Sequence, residues 1–364
     1  MINVTKTYLP PIEEYFQYLQ GIWERDQLTN YGPLVQELET RLKKFLEVKH
    51  LFFVANGTIA LQVAIKAMDL HGDILTTPFS YVATTSSIVW EGCRPVFVDI
   101  DPETLCLNPT LLEEAITTNT TAIMPVHVYG NPCDVNQIQT IAERNHLKVI
   151  YDAAHAFGVR HKNISIVNYG HISILSFHAT KLFHTAEGGA IITNDDELAD
   201  RIEYMMNFGH KSEYDFWGLG INGKNSEFHA AMGLCVLPRI PELITERKKI
   251  SELYDRQLQY TDLRRPKVNK DTTYNYAYYA VIFPSEDSLL RAQQALLIND
   301  VFPRRYFYPS LNTLNYVSKT RMPVATDISS RILCLPLSNY LKFEEVNMIT
   351  RIIRETLASG DPHS

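Results

Sequence analysis

The sequence predicts an α/β fold in which a large unit, residues 1–245, carries a mainly parallel sheet and a smaller α+β unit occupies residues 246–364. Three observations predict it. From His50 to Tyr151 short apolar runs alternate with amphipathic stretches, the strand-then-helix rhythm of a parallel sheet covered on both faces. Two apolar runs end in chemistry, Leu147–Tyr151 at Asp152 and His171–Phe177 just ahead of Lys181, and the C-terminal ends of parallel strands are where such sheets bind ligands. After Asn222 the rhythm changes to one long helical stretch, Glu227 to about Tyr260, alanine- and leucine-rich early and charged later, as a link between two units would be.

In chain order, residues 1–49 read as an extended arm, a helix from about Ile12 to Glu24, and a second helix in which Leu34, Leu38, Leu42 and Phe45 recur at helical spacing. Leu51–Ala55 is a strand, and Asn56-Gly57-Thr58 opens a helix over Ile59–Met68. A glycine at a helix N-terminus lets backbone N–H groups converge on a phosphate, although most such turns bind nothing. Ile74–Thr77 is the next strand, and Pro78-Phe79-Ser80-Tyr81 leads into a helix over Val82–Trp90. Strands follow at Pro95–Ile100, Thr121–Val126 and Val149–Tyr151, with helices near Pro109–Ile116 and Asp134–Arg144. In the last part, the AYYAVIF run after Asn275 and Ile332–Leu335 read as strands, and Leu289–Leu297 and Phe343–Leu357 as helices. Gly360–Ser364 reads as a frayed end.

Composition excludes several classes. The 34 basic and 41 acidic residues give 34 − 41 = −7 with no long basic run, which argues against a nucleic-acid partner. Five scattered cysteines without a C-x-x-C pair suggest reduced core thiols. The first residues, MINVTKTYLPPIEEY, lack the apolar core of a signal peptide, and no run approaches about 20 apolar residues, so a cytoplasmic protein without a membrane span is expected.

An aspartate after a strand is commonly a turn former, and most lysines are solvated. Lys181 stands between Leu175-Ser176-Phe177 and Leu182-Phe183, where burial would disfavour its charged form and free an amine for condensation with an aldehyde. A literal G-x-G-x-x-G at Gly218–Gly223 follows the polar, aromatic HKSEYDFW and not a strand, so a dinucleotide fold is not indicated. His171, His178 and His184 near Asp152 would suit a zinc hydrolase, but they lack a helical H-E-x-x-H arrangement, and no metal site is expected.

The order DAAHAFG from Asp152, SFHATK ending 29 residues later (181 − 152) at Lys181, then EGG at 187–189, resembles the DegT/DnrJ/EryC1/StrS family of fold-type I sugar aminotransferases, which use pyridoxal 5'-phosphate. The resemblance runs from Leu28–Pro33 to the helix after Asn222 and thins in the last hundred or so residues. It implies that Lys181 carries the cofactor and moves the proton, that Asp152 pairs with the pyridine nitrogen, and that Tyr81 stacks on the ring. It further implies that Gly57, Thr58 and Ser176 hold the phosphate and that Asn222 reaches the cofactor of a partner in a homodimer with shared sites. His155 would support the ring or the aspartate, or belong to the core. His127 and Tyr129-Gly130 match the family's VHxYG motif, with His127 read as structural.

By the same resemblance L-glutamate is the donor and a nucleotide-linked keto sugar the acceptor. The favoured acceptor is dTDP-4-keto-6-deoxy-D-glucose, giving the 4-amino-4,6-dideoxy sugar for surface polysaccharide such as lipopolysaccharide O-antigen. A 3-keto acceptor, a lyase or aldolase on the same fold, and a noncatalytic regulator stay open as alternatives. A family branch with histidine in place of the lysine dehydrates its substrate, and Lys181 argues against that branch. The cluster Arg304, Arg305, Tyr306, Tyr308 and Pro309 reads as a solvated loop or as a contact for substrate phosphates or the donor carboxylate. Many relatives have histidine where Leu311 stands.

Overall fold

The inner strands of the large sheet send alternate residues into two different cores, because both faces are covered by helices. The computed structural model describes residues 1–358, and the expected frayed end at 360–364 lies outside them. In chain order the elements that matter are helices α1 (Ile12–Arg25) and α2 (Pro33–Leu46), strand β1 (His50–Val54), α3 (Gly57–Ala67), β2 (Asp73–Thr76), α4 (Val82–Trp90), β3 (Arg94–Phe97) and β4 (Thr120–Met124). They continue through α5 (Val135–Arg144), β5 (Lys148–Asp152), β6 (Ile172–Ser176), β7 (Gly189–Thr193), α6 (Asp196–Met205), α7 (Glu227–Val236) and α8 (Ile240–Leu258). The C-terminal part holds β8 (Tyr279–Ile282), α9 (Glu286–Ile298), α10 (Pro323–Arg331), β9 (Ile332–Leu335) and α11 (Phe343–Ala358).

Among the described residues seven strands form the central sheet in the order β1-β7-β6-β5-β4-β2-β3. Neighbours are parallel except β7, which runs antiparallel to both β6 and β1. Val54, Ile74, Met124, Ile150, Ile174 and Ile191 face the core under α3. Phe53, Leu75, Ile123, Val149, Leu175 and Ile192 face the core under α2, α5 and α7. The register sets Asp152 opposite Ile174, and Gly189 opposite both Ser176 and Val54. The ends of β1, β5 and β6 and the start of β7 therefore share one edge of the sheet.

Three local expectations need correction. The glycine pair at 188–189 opens a strand, β7, followed by α6, where the apolar pattern had suggested neither. The stretch from 227 to 260 is not one helix: it passes from α7 through a 3₁₀ turn, Leu237–Arg239, into α8. Pro238 and Pro241 have no N–H to give the helical ladder, which accounts for the break. Pro109–Ile116 is reduced to a 3₁₀ turn and a single helical turn.

The C-terminal core packs α8, α9 and α11 around Tyr279, Val281, Leu333 and Leu335. The alternate residues of the same two strands, Ala280, Ile282, Ile332 and Cys334, join the core of the large sheet, as does Tyr278 just ahead of β8. This small antiparallel pair is thus buried on both faces, and it seats the C-terminal part against the large sheet. The N-terminal arm is tied there as well, Ile2 pairing with Val301 and Asn3 with Phe302.

One buried carboxylate marks the edge of the sheet. Glu39 on α2, 1 % exposed, accepts the Phe53 N–H of edge strand β1 at 2.7 Å and the Tyr31 hydroxyl at 2.7 Å. Burial pushes its carboxyl from 4.5 up to about 7. The folded state then holds the proton more tightly than the unfolded chain, so stability present below about pH 4.5 is lost as pH rises through about 7. Glu39→Gln should remove that slope: between pH 5 and pH 8 the variant should gain about 2 kcal/mol relative to the natural chain, at 1.36 kcal/mol per pKa unit. Parallel pH dependences in urea unfolding would contradict it.

Candidate active site

At the shared edge of the sheet lies a cavity of about 580 Å³. Asp152, Lys181, His155, Tyr81, Ser176 and the Gly57-Thr58 turn all line it. Asp152 is the last residue of β5 and is buried, where its Oδ2 accepts the Thr84 hydroxyl at 2.7 Å and its Oδ1 the Ala154 N–H at 3.1 Å. Burial raises its pKa, while those two bonds and the nearby Lys181 charge oppose the rise.

Lys181 lies in the turn between β6 and β7, its N–H bonded to the His178 carbonyl at 2.8 Å. Burial pushes its amine from 10.5 down to about 8, with Asp152 the main opposing charge. An appreciable fraction of the amine is neutral near pH 7 as a result, the form that attacks carbonyl carbon.

His155 stacks on Phe307, centroids 5.6 Å apart and planes 5° apart. Its Nδ1 accepts the Tyr129 N–H at 3.2 Å, which leaves the ring proton on Nε2. Burial holds its pKa well below the ordinary imidazole value, so it stays neutral. Tyr81 caps α4 without a side-chain hydrogen bond and is 59 % exposed at the cavity mouth.

The fourth side of the cavity is the start of α3. Asn56 caps the helix by accepting the Ile59 N–H at 2.9 Å, and the Gly57 and Thr58 N–H groups have no acceptor within the helix. Two glycines keep this corner tight. A Cβ on Gly57 would stand 3.1 Å from the Ser176 Cβ, and one on Gly189 would meet the Asn56 carbonyl carbon at 2.6 Å. Backbone donors, a serine hydroxyl and a helix N-terminus therefore crowd into one corner.

The remaining candidates fall elsewhere. Asn222 is exposed, paired with Asn207 in an isolated bridge, and does not line the cavity of its own chain. His127 is buried away from the cavity, stacked on Tyr151 at 4.7 Å, with Nδ1 accepting the Cys133 N–H. His171, His178 and His184 make separate contacts, to the Val149 N–H, the Thr180 hydroxyl and the Tyr8 carbonyl. Among the described residues no three His, Cys, Asp or Glu side chains group as metal ligands would. The basic cluster divides: Arg305 is held by Glu286 at 2.7 Å and the Ser330 carbonyl at 2.6 Å and lies over Tyr308. Arg304 is exposed and lines a second cavity of about 920 Å³, which shares Tyr81, Thr180, Tyr306 and Phe307 with the first. Leu311 is buried in the wall of that second cavity, its N–H on the Pro78 carbonyl at 2.8 Å.

Comparison with known proteins decides the family. The family model described as the DegT/DnrJ/EryC1/StrS aminotransferase family matches residues 11–354. The chain belongs to that family. This aminotransferase is 43% identical over 361 residues to dTDP-4-amino-4,6-dideoxy-D-glucose transaminase of Shigella dysenteriae, covering 97% of this chain and 98% of the relative. It is 39% identical to the transaminase of the same name from Escherichia coli, with 97% and 98% covered. Among solved structures, DesI in the presence of its TDP-sugar product superposes with a TM-score of 0.94 at 29% identity, over 99% of this chain and 93% of that one.

The cavity of this aminotransferase also suits an aldehyde cofactor bearing a phosphate and a basic ring nitrogen. The glycine-tightened corner at α3 offers anion donors, Lys181 a partly neutral amine and Asp152 a buried carboxylate. Three of its groups escape sequence reasoning. Thr84, one turn into α4, orients Asp152; Phe307 backs His155; Tyr278 meets Lys181. The spacing of Thr84 three residues after the helix cap Tyr81 was a signal for the first, while the other two come from two distant segments, the AYYAVIF run and the basic aromatic cluster, whose patterns did not single them out.

Proposed function

We propose that this aminotransferase is loaded with pyridoxal 5'-phosphate and moves an amino group from L-glutamate to a nucleotide-linked keto-deoxysugar. The favoured reaction takes dTDP-4-keto-6-deoxy-D-glucose to dTDP-4-amino-4,6-dideoxy-D-glucose and glutamate to 2-oxoglutarate. The observation that carries this is a lysine amine lowered to about 8 beside a buried carboxylate, at a corner of free helix N–H groups. The transaminases named above, with 43% and 39% identity along nearly the whole chain, support the sugar.

When bound, the cofactor supplies the electron sink for the carbon that loses or gains a proton. The protein does the rest. Lys181 holds the cofactor and carries the proton to and from that carbon, a task suited to an amine poised near the working pH. Asp152, oriented by Thr84 and the Ala154 N–H, holds the proton on the ring nitrogen. Gly57, Thr58 and Ser176 would hold the phosphate, Tyr81 would stack on the ring, and the neutral His155 would support the ring or Asp152. Arg304, exposed in the adjoining cavity, is placed for substrate phosphates or the donor carboxylate.

A second copy of the chain fits the reading. Phe208, Tyr214, Phe216, Trp217, Leu219 and Ile221, each 40 % to 86 % exposed, stand among polar and charged residues in the segment directly before Asn222. Asn222 stands outside its own cavity, as a residue serving a partner's phosphate would. The reading assigns the enzyme to the cytoplasm and its product to surface polysaccharide; the five free, buried cysteines fit a reducing compartment, and among the described residues no helix is long and apolar enough to cross a membrane.

The test is the absorption spectrum of the chain with pyridoxal 5'-phosphate, first alone and then with L-glutamate. A yellow band should bleach to the pyridoxamine form and return when the 4-keto sugar nucleotide is added. Bleaching reversed only by a 3-keto sugar would move the amination to C3. A band that glutamate leaves untouched would overturn transamination from this donor.

A further inference from the structure

We propose that Tyr278 is the positioning residue for the reactive amine, its phenol oxygen accepting a hydrogen bond from the ammonium form of Lys181. This deepens the reading above, since it takes Lys181 to be the reacting group. The Lys181 Nζ donates to the Tyr278 oxygen at 3.5 Å, and among the described residues the tyrosine hydroxyl has no other hydrogen-bond partner. That distance is at the outer limit for such a bond, so the contact persists only if the phenol is held from elsewhere.

It is held on every side. Asn275, three residues earlier, donates to the His155 and Phe157 carbonyls at 2.8 and 3.0 Å. The Ala277 carbonyl, directly before the tyrosine, accepts from the buried Arg247 at 3.2 Å, and its N–H returns to Asn275 Oδ1 at 3.1 Å. Tyr279, directly after it, is paired with Leu335 in the antiparallel ladder. The ring is 8 % exposed and is packed against His155, Tyr129 and Tyr306, with centroids 5.0, 5.7 and 5.9 Å away. None of these contacts uses the phenol oxygen, which is left to face the amine.

The chemistry limits what the phenol can do. Burial lifts its ionisation well above the ordinary phenol range, so it stays protonated at working pH and does not act as a base. A neutral phenol oxygen offers a lone pair to an ammonium group and steadies that form. Its loss should leave Lys181 more readily deprotonated and less well placed. The residue arrives from the C-terminal part of the chain, 97 positions beyond the lysine, so correct seating of that part is read out at the amine.

The experiment follows Lys181 in the full chain without added cofactor, by peptide mass spectrometry of trinitrophenylation from pH 6 to pH 10. Tyr278→Phe keeps the ring and removes only the hydroxyl. It should lower the pH midpoint of Lys181 modification, giving roughly three- to tenfold faster reaction at pH 7 and no difference at pH 10, as expected for a lost hydrogen bond to a charged group. Tyr274→Phe, which removes the bond from the Tyr274 hydroxyl to the Tyr129 carbonyl in the same segment, should leave the midpoint where it is. An unchanged or raised midpoint in Tyr278→Phe, or an equal shift in Tyr274→Phe, would overturn the assignment. Borohydride reduction of the natural chain with pyridoxal 5'-phosphate separates the two readings. Cofactor fixed to another lysine overturns the role of Lys181, whereas cofactor on Lys181 with an unshifted midpoint overturns the tyrosine alone.

Discussion

Lys181→Ala should lose at least about 10⁴-fold in transamination, since it removes a positioned proton carrier, which alone contributes up to about that factor, together with the covalent hold on the cofactor. Borohydride treatment of the variant with pyridoxal 5'-phosphate should leave no cofactor mass on the chain. A reducible adduct that survives the substitution would refute the assignment. The fold should not suffer. The site holds the amine at about 8 where an unfolded chain would hold it at 10.5, so at pH 7 the buried ammonium is disfavoured by folding, and that cost fades only as pH rises from about 8. The alanine variant should therefore melt no lower than the natural chain at pH 7, a sign that function and stability oppose each other at this position. A loss of activity accompanied by a collapsed melting curve would instead mean that Lys181 is structural.

Asp152→Asn should cost roughly 10²–10³-fold in rate, the range seen when one oriented electrostatic partner is removed from a water-poor site. The substitution is nearly isosteric, and its surroundings tolerate it. An amide oxygen can still accept the Ala154 N–H, and the amide nitrogen can donate to the Thr84 oxygen, whose own hydrogen can turn to the Ser80 oxygen 2.8 Å away. What disappears is the negative charge. Because that charge raises the Lys181 pKa, the amine of the variant should titrate below about 8, so its modification at pH 7 becomes faster as catalysis becomes slower. These opposite movements separate an electrostatic role from a disturbed fold. Unchanged turnover with glutamate would remove Asp152 from the mechanism.

Much of the site was legible because its signals are local. Asp152 ends an apolar run and Lys181 sits among large apolar neighbours, so strand pattern pointed to both, whereas Gly57, Thr58 and Ser176 took their roles from the family resemblance, since most glycine turns at a helix start bind nothing. The strand β7 was not legible. Its residues, Gly-Ala-Ile-Ile-Thr, carry no direction, and only its neighbours decide that it runs against the others. The reversal has a consequence: it brings Gly189 rather than the far end of the strand to the corner at the start of α3, where a side chain would collide with Asn56. The break between α7 and α8 could have been read from Pro238 and Pro241, but the alanine- and leucine-rich pattern on either side masked it.

The sequence by itself determined the α/β class, the edge of the sheet that carries chemistry, and the aspartate and lysine placed there, because alternation and strand ends are properties of a few consecutive residues. Only the tertiary structure decided how those two groups are tuned. Thr84 is 68 positions from Asp152 and Tyr278 is 97 from Lys181, and no local pattern links them. Burial, which sets the titration of Asp152, His155 and Lys181, comes from α3, α4 and the segment around Tyr278 closing over one cavity. The physical reason is that desolvation and hydrogen-bond geometry depend on what folds against a residue, and that is a property of the packed chain.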